Sequence, residues 1–144
     1  MSFNWDEVDS DVESLTLENK IVTGKVVSVY DGDSCKCVFP FEGKLYKWTC
    51  RIDGIDTPEL RTRSKLEKEA GYKARDFLRS KILKKVVEIT CGKFDKYGRL
   101  LVRIKYEGED ISDLMVANNH AFSYDGGKKR SWAEYLKNQN TSNP

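Results

Sequence analysis

A chain of 144 residues, 39% hydrophobic and 33% charged, has room for one domain with a real core and not for two; with no run of about 18 apolar residues, no helix that spans a membrane is expected. The net charge of +2 conceals a division: residues 1–20 hold six acids (Asp6, Glu7, Asp9, Asp11, Glu13, Glu18) against Lys20, leaving 24 lysines and arginines against 17 acids in the remainder. A basic globular part suits a polyanionic partner, although a solvated basic surface reads the same way. No basic segment leads into an apolar one at the N-terminus, so an intracellular protein without a secretion signal is expected. The four cysteines, Cys35, Cys37, Cys50 and Cys91, fall inside strand-like runs and form no C-x-x-C pair. They read as reduced core thiols, their spacing being wrong for a zinc knuckle.

Residues 1–18 are acidic and weakly periodic, and read as a disordered tail, with shielding of the basic surface as a second reading. Valine-rich residues 21–30 read as a strand, and Asp31-Gly32-Asp33-Ser34 as a tight turn. Residues 34–39 alternate, with Cys35, Cys37 and Phe39 on one face. Pro40 to Gly43 turns the chain. Leu45 to Asp53 alternates again, with Tyr46, Trp48, Cys50 and Ile52 on the apolar face and Arg51 on the other. Ser64-Lys65-Leu66-Glu67 is a capping-box signature, and Leu66, Ala70, Ala74, Phe77 and Leu78 follow at helical spacing, predicting a helix that ends near residues 80–83. A second strand pair, Val86–Cys91 and Arg99–Tyr106, is joined by residues 94–98. Leu100, Val102, Ile104 and Tyr106 share a face, while Arg99, Arg103 and Lys105 share the opposite one. A short helix is predicted from about Asp110 to Asn118 and another around Trp132 to Leu136. This order fits a five-stranded Greek-key β-barrel of the oligonucleotide-binding (OB) type, an α+β fold with helices to one side. Its expected extent is 19–138, followed by a disordered end at 139–144.

The stretch Arg51 to Glu59, RIDGIDTPE, puts one cation and three carboxylates (Asp53, Asp56, Glu59) within nine residues. It runs out of a strand into a corner fixed by Thr57-Pro58, because proline holds its own φ and pushes the preceding residue out of the helical region. Acids crowded on a stiff corner repel each other, and a hard cation with oxygen ligands would compensate them.

Three motifs, DGDS (31–34), RIDGIDTPE (51–59) and DKYGR (95–99), resemble in order and spacing those of the staphylococcal-nuclease (thermonuclease) family, and the resemblance runs from about residue 20 to about 125. It implies a calcium-dependent phosphodiesterase on an OB barrel that cleaves DNA and RNA to 3′-phosphate and 5′-hydroxyl ends. By the resemblance, Asp33, Asp56 and the Thr57 carbonyl bind one Ca2+, for which Mg2+ or Mn2+ can substitute. Glu59 orients or deprotonates the attacking water. Arg51 and Arg99 hold the phosphate, and Lys96, Tyr97 and Tyr124 contact the nucleotide. The roles agree with elementary chemistry: carboxylates suit a hard cation, and arginine's planar fork donates two bonds to a phosphoryl oxygen pair where charge builds. The protein is expected to act as a monomer.

Each feature taken singly has a plainer reading: Asp31 and Asp33 as caps of a turn, Arg51 as an ion-pair partner of Asp53 or Asp56, Glu59 as a solvated charge, and Arg99 with Lys96 as a basic hairpin. His120, the single histidine, is assigned no role. Two other functions stand beside the nuclease: a non-catalytic OB-fold nucleic-acid-binding module, and a calcium-binding regulator. Degenerate, non-cutting barrels lose the acids and arginines, and here Asp33, Arg51, Asp56, Glu59 and Arg99 are all present.

Overall fold

The structure, a computed structural model, describes residues 2–142. Strands β1 (Ile21–Val29), β2 (Ser34–Phe41) and β3 (Lys44–Ile52) form an antiparallel meander, and β5 (Val86–Phe94) and β6 (Leu100–Tyr106) form a second antiparallel pair. Between them lie β4 (Ile55–Asp56) and helix α1 (Lys65–Ile82). After them come β7 (Glu109–Asp110), α2 (Ile111–Ala117), β8 (Phe122–Ser123) and α3 (Trp132–Ser142). β1 pairs antiparallel with β5, and β3 meets β6 in parallel through Cys50–Leu100, Arg51–Leu101 and Ile52–Val102. That last pairing closes five strands into a mixed barrel, the architecture expected from the element order.

Alternation places the core. Val26, Val29, Cys35, Cys37, Phe39, Cys50, Ile52, Ile89, Leu100, Val102 and Ile104 are buried inside the barrel, and Ala74, Leu78 and Ile82 of α1 with Ile111 and Met115 of α2 complete it. All four cysteines are free and buried, with the sulfurs of Cys35 and Cys37 at 3.9 Å. The outer end of β3 departs from the expected stripe: Tyr46 is 44% exposed. β1 follows β2 only as far as Val38, so the tip of the β2–β3 ribbon runs past the barrel strands and leaves Leu45 and Tyr46 uncovered, while Phe39, Phe41 and Trp48 still pack on the core. The expected turn at 40–43 is also tighter. β2 continues to Phe41, and only Glu42 (φ +49°) and Gly43 (φ +78°) make the reversal, the paired positive φ of a type I′ hairpin.

Ser64 caps α1, its hydroxyl accepting from the Glu67 N–H at 3.2 Å. The reciprocal half of the capping box is rerouted: Thr62 Oγ1 takes the Ser64 N–H, while Glu67 accepts from the Thr62 hydroxyl and from the Glu59 N–H at 2.9 Å. The cap thereby ties the helix to the residue three after Asp56. At the N-terminal end, Leu17 is buried in the core while Phe3, Trp5, Val8, Val12 and Leu15 are exposed. α3 extends well past Leu136 to Ser142, and residues 143–144 of the expected end segment lie outside the described residues. No helix among the described residues is long and apolar enough to cross a membrane.

Candidate active site

The corner after β3 is clamped from several directions. Asp53 N–H donates to the Val102 carbonyl at 2.8 Å, and Ser112 Oγ donates to the Asp53 carbonyl at 2.7 Å. The following Gly54 sits at φ +84° with the Arg103 guanidinium lying over it, a backbone conformation that side-chain-bearing residues rarely adopt. Tyr124 N–H donates to the Gly54 carbonyl at 2.9 Å. β4 then pairs with β8, Ile55 opposite Ser123 and Asp56 opposite Phe122. Asp56 and Thr57 end up buried, at 4% and 3% exposure, and the backbone of Pro58 and Glu59 packs against Gly71 of α1. A Cβ at Gly71 would stand 2.9 Å from the Glu59 carbonyl oxygen.

The second loop, Asp31 to Ser34, lies against this corner. A Cβ on Gly32 would meet both Thr57 and Ala74 at 3.0 Å, so glycine is what lets the loop close on Thr57. The loop is knit internally: Asp33 N–H donates to Asp31 Oδ1 at 3.1 Å, and Ser34 Oγ to Asp33 Oδ1 at 3.2 Å. Its link to the barrel is the Ile52 N–H, which donates to the Asp33 carbonyl at 2.7 Å. Ser34 faces Arg51 across the β2–β3 ladder, which brings the Arg51 guanidinium beside Asp33 with Nη2 3.4 Å from Oδ2. The same guanidinium donates to the carbonyls of Ile52 and Ile55, each at 3.0 Å. The ion-pair partner of Arg51 is therefore Asp33, and neither Asp53 nor Asp56.

The electrostatics bind the two loops into one cluster. Burial and then Asp33 push Asp31 up to about 6. Burial also raises Asp56, with Asp33 adding to it and Lys129 and Arg51 opposing. Glu59 is raised by burial, then by Asp33, with Glu67 and Asp56 adding and Lys129 opposing. Asp56 and Glu59 thus both feel the charge of Asp33, which is the condition that a cation relieves. Among the described residues, no three His, Cys, Asp or Glu side chains converge as a ready metal cage. The donors available are two aspartates and peptide carbonyls, a set that suits a hard cation keeping part of its water. A positive group already stands there: Lys129 Nζ lies 3.5 Å from Asp56 Oδ1.

The other expected residues are held by contacts of their own. Arg99 is held in the β5–β6 turn by Asp95, Nε to Oδ2 at 2.8 Å. Asp95 Oδ1 also accepts from the N–H groups of Tyr97 and Arg99, each at 2.9 Å. Burial opposes ionisation of Asp95, but these hydrogen bonds outweigh it and hold the carboxyl below its usual range. Lys96 and Arg99 both lie over the Tyr97 ring, 5.3 and 5.6 Å from its centroid, and Tyr97 is 73% exposed. Tyr124, bonded to the corner through its N–H, donates its hydroxyl to the Gly127 carbonyl at 2.7 Å and holds its ring 5.5 Å from Lys129 Nζ. His120 lies tilted against Phe77 with ring centroids 4.6 Å apart and is lowered by burial and by Lys73. Two participants, Lys129 and Asp31, were not singled out for the site. The run Lys128-Lys129-Arg130 after a glycine pair was the available signal for the first, and the Asp-Gly-Asp turn for the second.

A family model described as staphylococcal nuclease homologue matches residues 49–142. That span takes in the corner, Arg99 and Lys129, and leaves Asp33 outside. A protein named "Probable endonuclease C19F8.04c" from Schizosaccharomyces pombe is 29% identical over 139 residues, which covers 77% of this chain and 60% of that protein. "Uncharacterized protein MJ1439" from Methanocaldococcus jannaschii is 37% identical over 101 residues, which covers 56% of this chain and 47% of that protein. The chain spans between about half and three fifths of the length of these curated relatives.

Proposed function

The chain belongs to the staphylococcal nuclease homologue family, and on that premise we propose that it is a divalent-cation-dependent nuclease. In this reading it hydrolyses phosphodiester bonds of DNA and RNA, with calcium as the ion, and leaves 3′-phosphate and 5′-hydroxyl ends. The observation that carries the reading is the coupling of Asp33, buried Asp56 and Glu59 beside an arginine already fixed on Asp33. Of the curated relatives, one carries a name that calls it a probable endonuclease.

The carboxylates of Asp33 and Asp56, with the Thr57 carbonyl, would hold the cation, which when bound supplies Lewis acidity and a positioned water. Glu59 takes the proton of the attacking water. Its raised proton affinity moves it from a weak base toward one suited to neutral pH. The water oxygen bonds to phosphorus as the bond from phosphorus to the 5′ oxygen breaks, and that oxygen leaves with the electron pair and takes a proton from solvent water. Arg51 is held rigid by two backbone carbonyls, so its remaining N–H donors are set before charge develops on the phosphoryl oxygens, where such donors lower the barrier most. Arg99 joins by exchanging Asp95 for a phosphoryl oxygen. Lys96 and Tyr97 on the exposed β5–β6 turn, and Tyr124 beside the corner, would grip the chain by charge and by stacking on bases.

Incubating plasmid and single-stranded DNA with the protein in calcium, in magnesium and in EDTA tests this. Cleavage in calcium, abolished by EDTA, is the expected result. Retarded migration of the nucleic acid without cleavage under every metal condition would overturn catalysis and leave a nucleic-acid-binding barrel.

A further inference from the structure

The loop between Tyr124 and α3 has no part in the roles above, yet it carries the ammonium nearest to Asp56. It is folded back on itself: Asp125 Oδ1 accepts from the Gly127 N–H at 3.0 Å, Tyr124 Oη donates to the Gly127 carbonyl, and Gly126 turns at φ +97°. The turn returns Lys129 over the corner, where its Nζ meets Asp56 Oδ1 at 3.5 Å while the side chain stays 49% exposed. Its neighbour Arg130 is not free to do the same, since its guanidinium stacks 4.1 Å above the Phe122 ring. On the outer side, Lys128, Lys129 and Arg130 line an open groove of about 800 Å³. Lys129 therefore borders both the buried carboxylate and this groove, whose other wall is Glu134 and Tyr135 of α3.

A lysine side chain is four methylenes long and ends in a compact charge, so this ammonium can leave Asp56 without disturbing the loop that carries it. A cation and an ammonium cannot both sit on one carboxylate oxygen. A cation bound through Oδ1 takes the place that Lys129 holds, one bound through Oδ2 repels it at short range, and in either case the displaced charge is free to meet an anion.

We propose that Lys129 is a phosphate-binding residue held in reserve: in the cation-free protein it occupies the cation's place on Asp56, and in the loaded protein it moves to a non-bridging oxygen of the substrate phosphodiester. This rests on the cation-dependent reading of the site given above. Lys129 then acts with opposite signs on the two ligands, opposing the cation and favouring the phosphate. A lysine that merely held the loop in shape would favour both.

The test is calorimetric, on the intact chain, with Lys129→Gln and Lys129→Arg. Calcium titrated into the nucleotide-free protein is expected to bind Lys129→Gln about three- to tenfold more tightly than wild type, the effect of removing one partly screened like charge. In saturating calcium, thymidine 3′,5′-bisphosphate is expected to bind Lys129→Gln about three- to tenfold more weakly, the loss of one partly exposed ionic contact. Lys129→Arg is expected to restore both affinities toward wild type. Unchanged calcium affinity in Lys129→Gln, or a weakening of both ligands together, would overturn the proposal while leaving the cation site intact. Tighter calcium with unchanged bisphosphate binding would overturn the transfer to phosphate. Absence of calcium binding in wild type and both variants would overturn the cation reading and this inference with it.

Discussion

Replacing Asp31 by Asn probes the cost of crowding acids, because Asn keeps the Oδ1 that accepts the Asp33 N–H and puts a neutral amide nitrogen in place of the other carboxylate oxygen. Burial and Asp33 lift the Asp31 carboxyl from 3.8 to about 6 in the folded chain. Between those values the unfolded chain is ionised at Asp31 while the folded chain holds the proton, so stability falls as pH rises through this window. Above about 6 both states are ionised and the penalty is complete; below about 4 both are protonated and it vanishes. At about 1.4 kcal/mol per unit the shift sets an upper bound near 3 kcal/mol. Partial exposure and sharing with Asp33 reduce this to about 1–2 kcal/mol. Asp31→Asn in EDTA is therefore expected to melt about 3–8 °C above wild type at pH 8 and level with it at pH 3.5. A variant that melts with or below wild type at pH 8, or one whose gain is as large at pH 3.5, would refute the reasoning.

Arg51→Lys should lower turnover by about 10²-fold or more with little change in KM, since a transition-state donor is lost. One ammonium also cannot serve Asp33 and the carbonyls of Ile52 and Ile55 together, so urea unfolding should show a stability loss of about 1–2 kcal/mol. Glu59→Gln should cost about 10²- to 10⁴-fold in turnover and leave the melting curve nearly unmoved, because it is the Glu59 backbone N–H that bonds to Glu67. Gly32→Ala puts a methyl 3.0 Å from Thr57 and Ala74, so denaturant titration should read a loss of about 1–3 kcal/mol from overpacking. Calcium binding should weaken in parallel as Asp33 is pushed from the corner.

The barrel was legible because its strands obey a two-residue period that is cut by turns, and because Ser64 caps α1 where the capping signature stands. The corner was legible for a similar reason: Pro58 fixes local geometry, and local geometry is what short stretches encode. Coverage was not legible. Tyr46 continues the stripe of Cys50 and Ile52, but alternation says which face a residue shares and not whether a neighbouring strand reaches over it. Partner choice was not legible either. Arg51 has Asp53 and Asp56 nearby in the chain, yet the β2–β3 register sets Ser34 opposite it and delivers Asp33. Lys129 reaches Asp56 through a loop whose fold depends on Gly126, Asp125 and Tyr124 together, and nothing in a run of basic residues records which of them comes back to the barrel.

The ion pairs also explain how a chain can fold with acids crowded at its wall. Arg51 stands on Asp33, Lys129 on Asp56 and Arg99 on Asp95, so each of these acids meets a cation before any ligand arrives. Burying a carboxylate without a counter-charge costs several kcal/mol, and the pairs keep Asp56 within what a small barrel can tolerate. The same pairs set the terms of ligand binding. A phosphodiester alone would have to draw an arginine or lysine from its acid and leave that acid uncompensated; a cation alone would have to expel an ammonium into water. Arriving together, each would supply the partner that the other displaces: the cation would take the carboxylates, and the freed side chains the phosphate. The proposed site is for that reason cooperative between cation and nucleic acid, and by linkage each strengthens the binding of the other by the same factor.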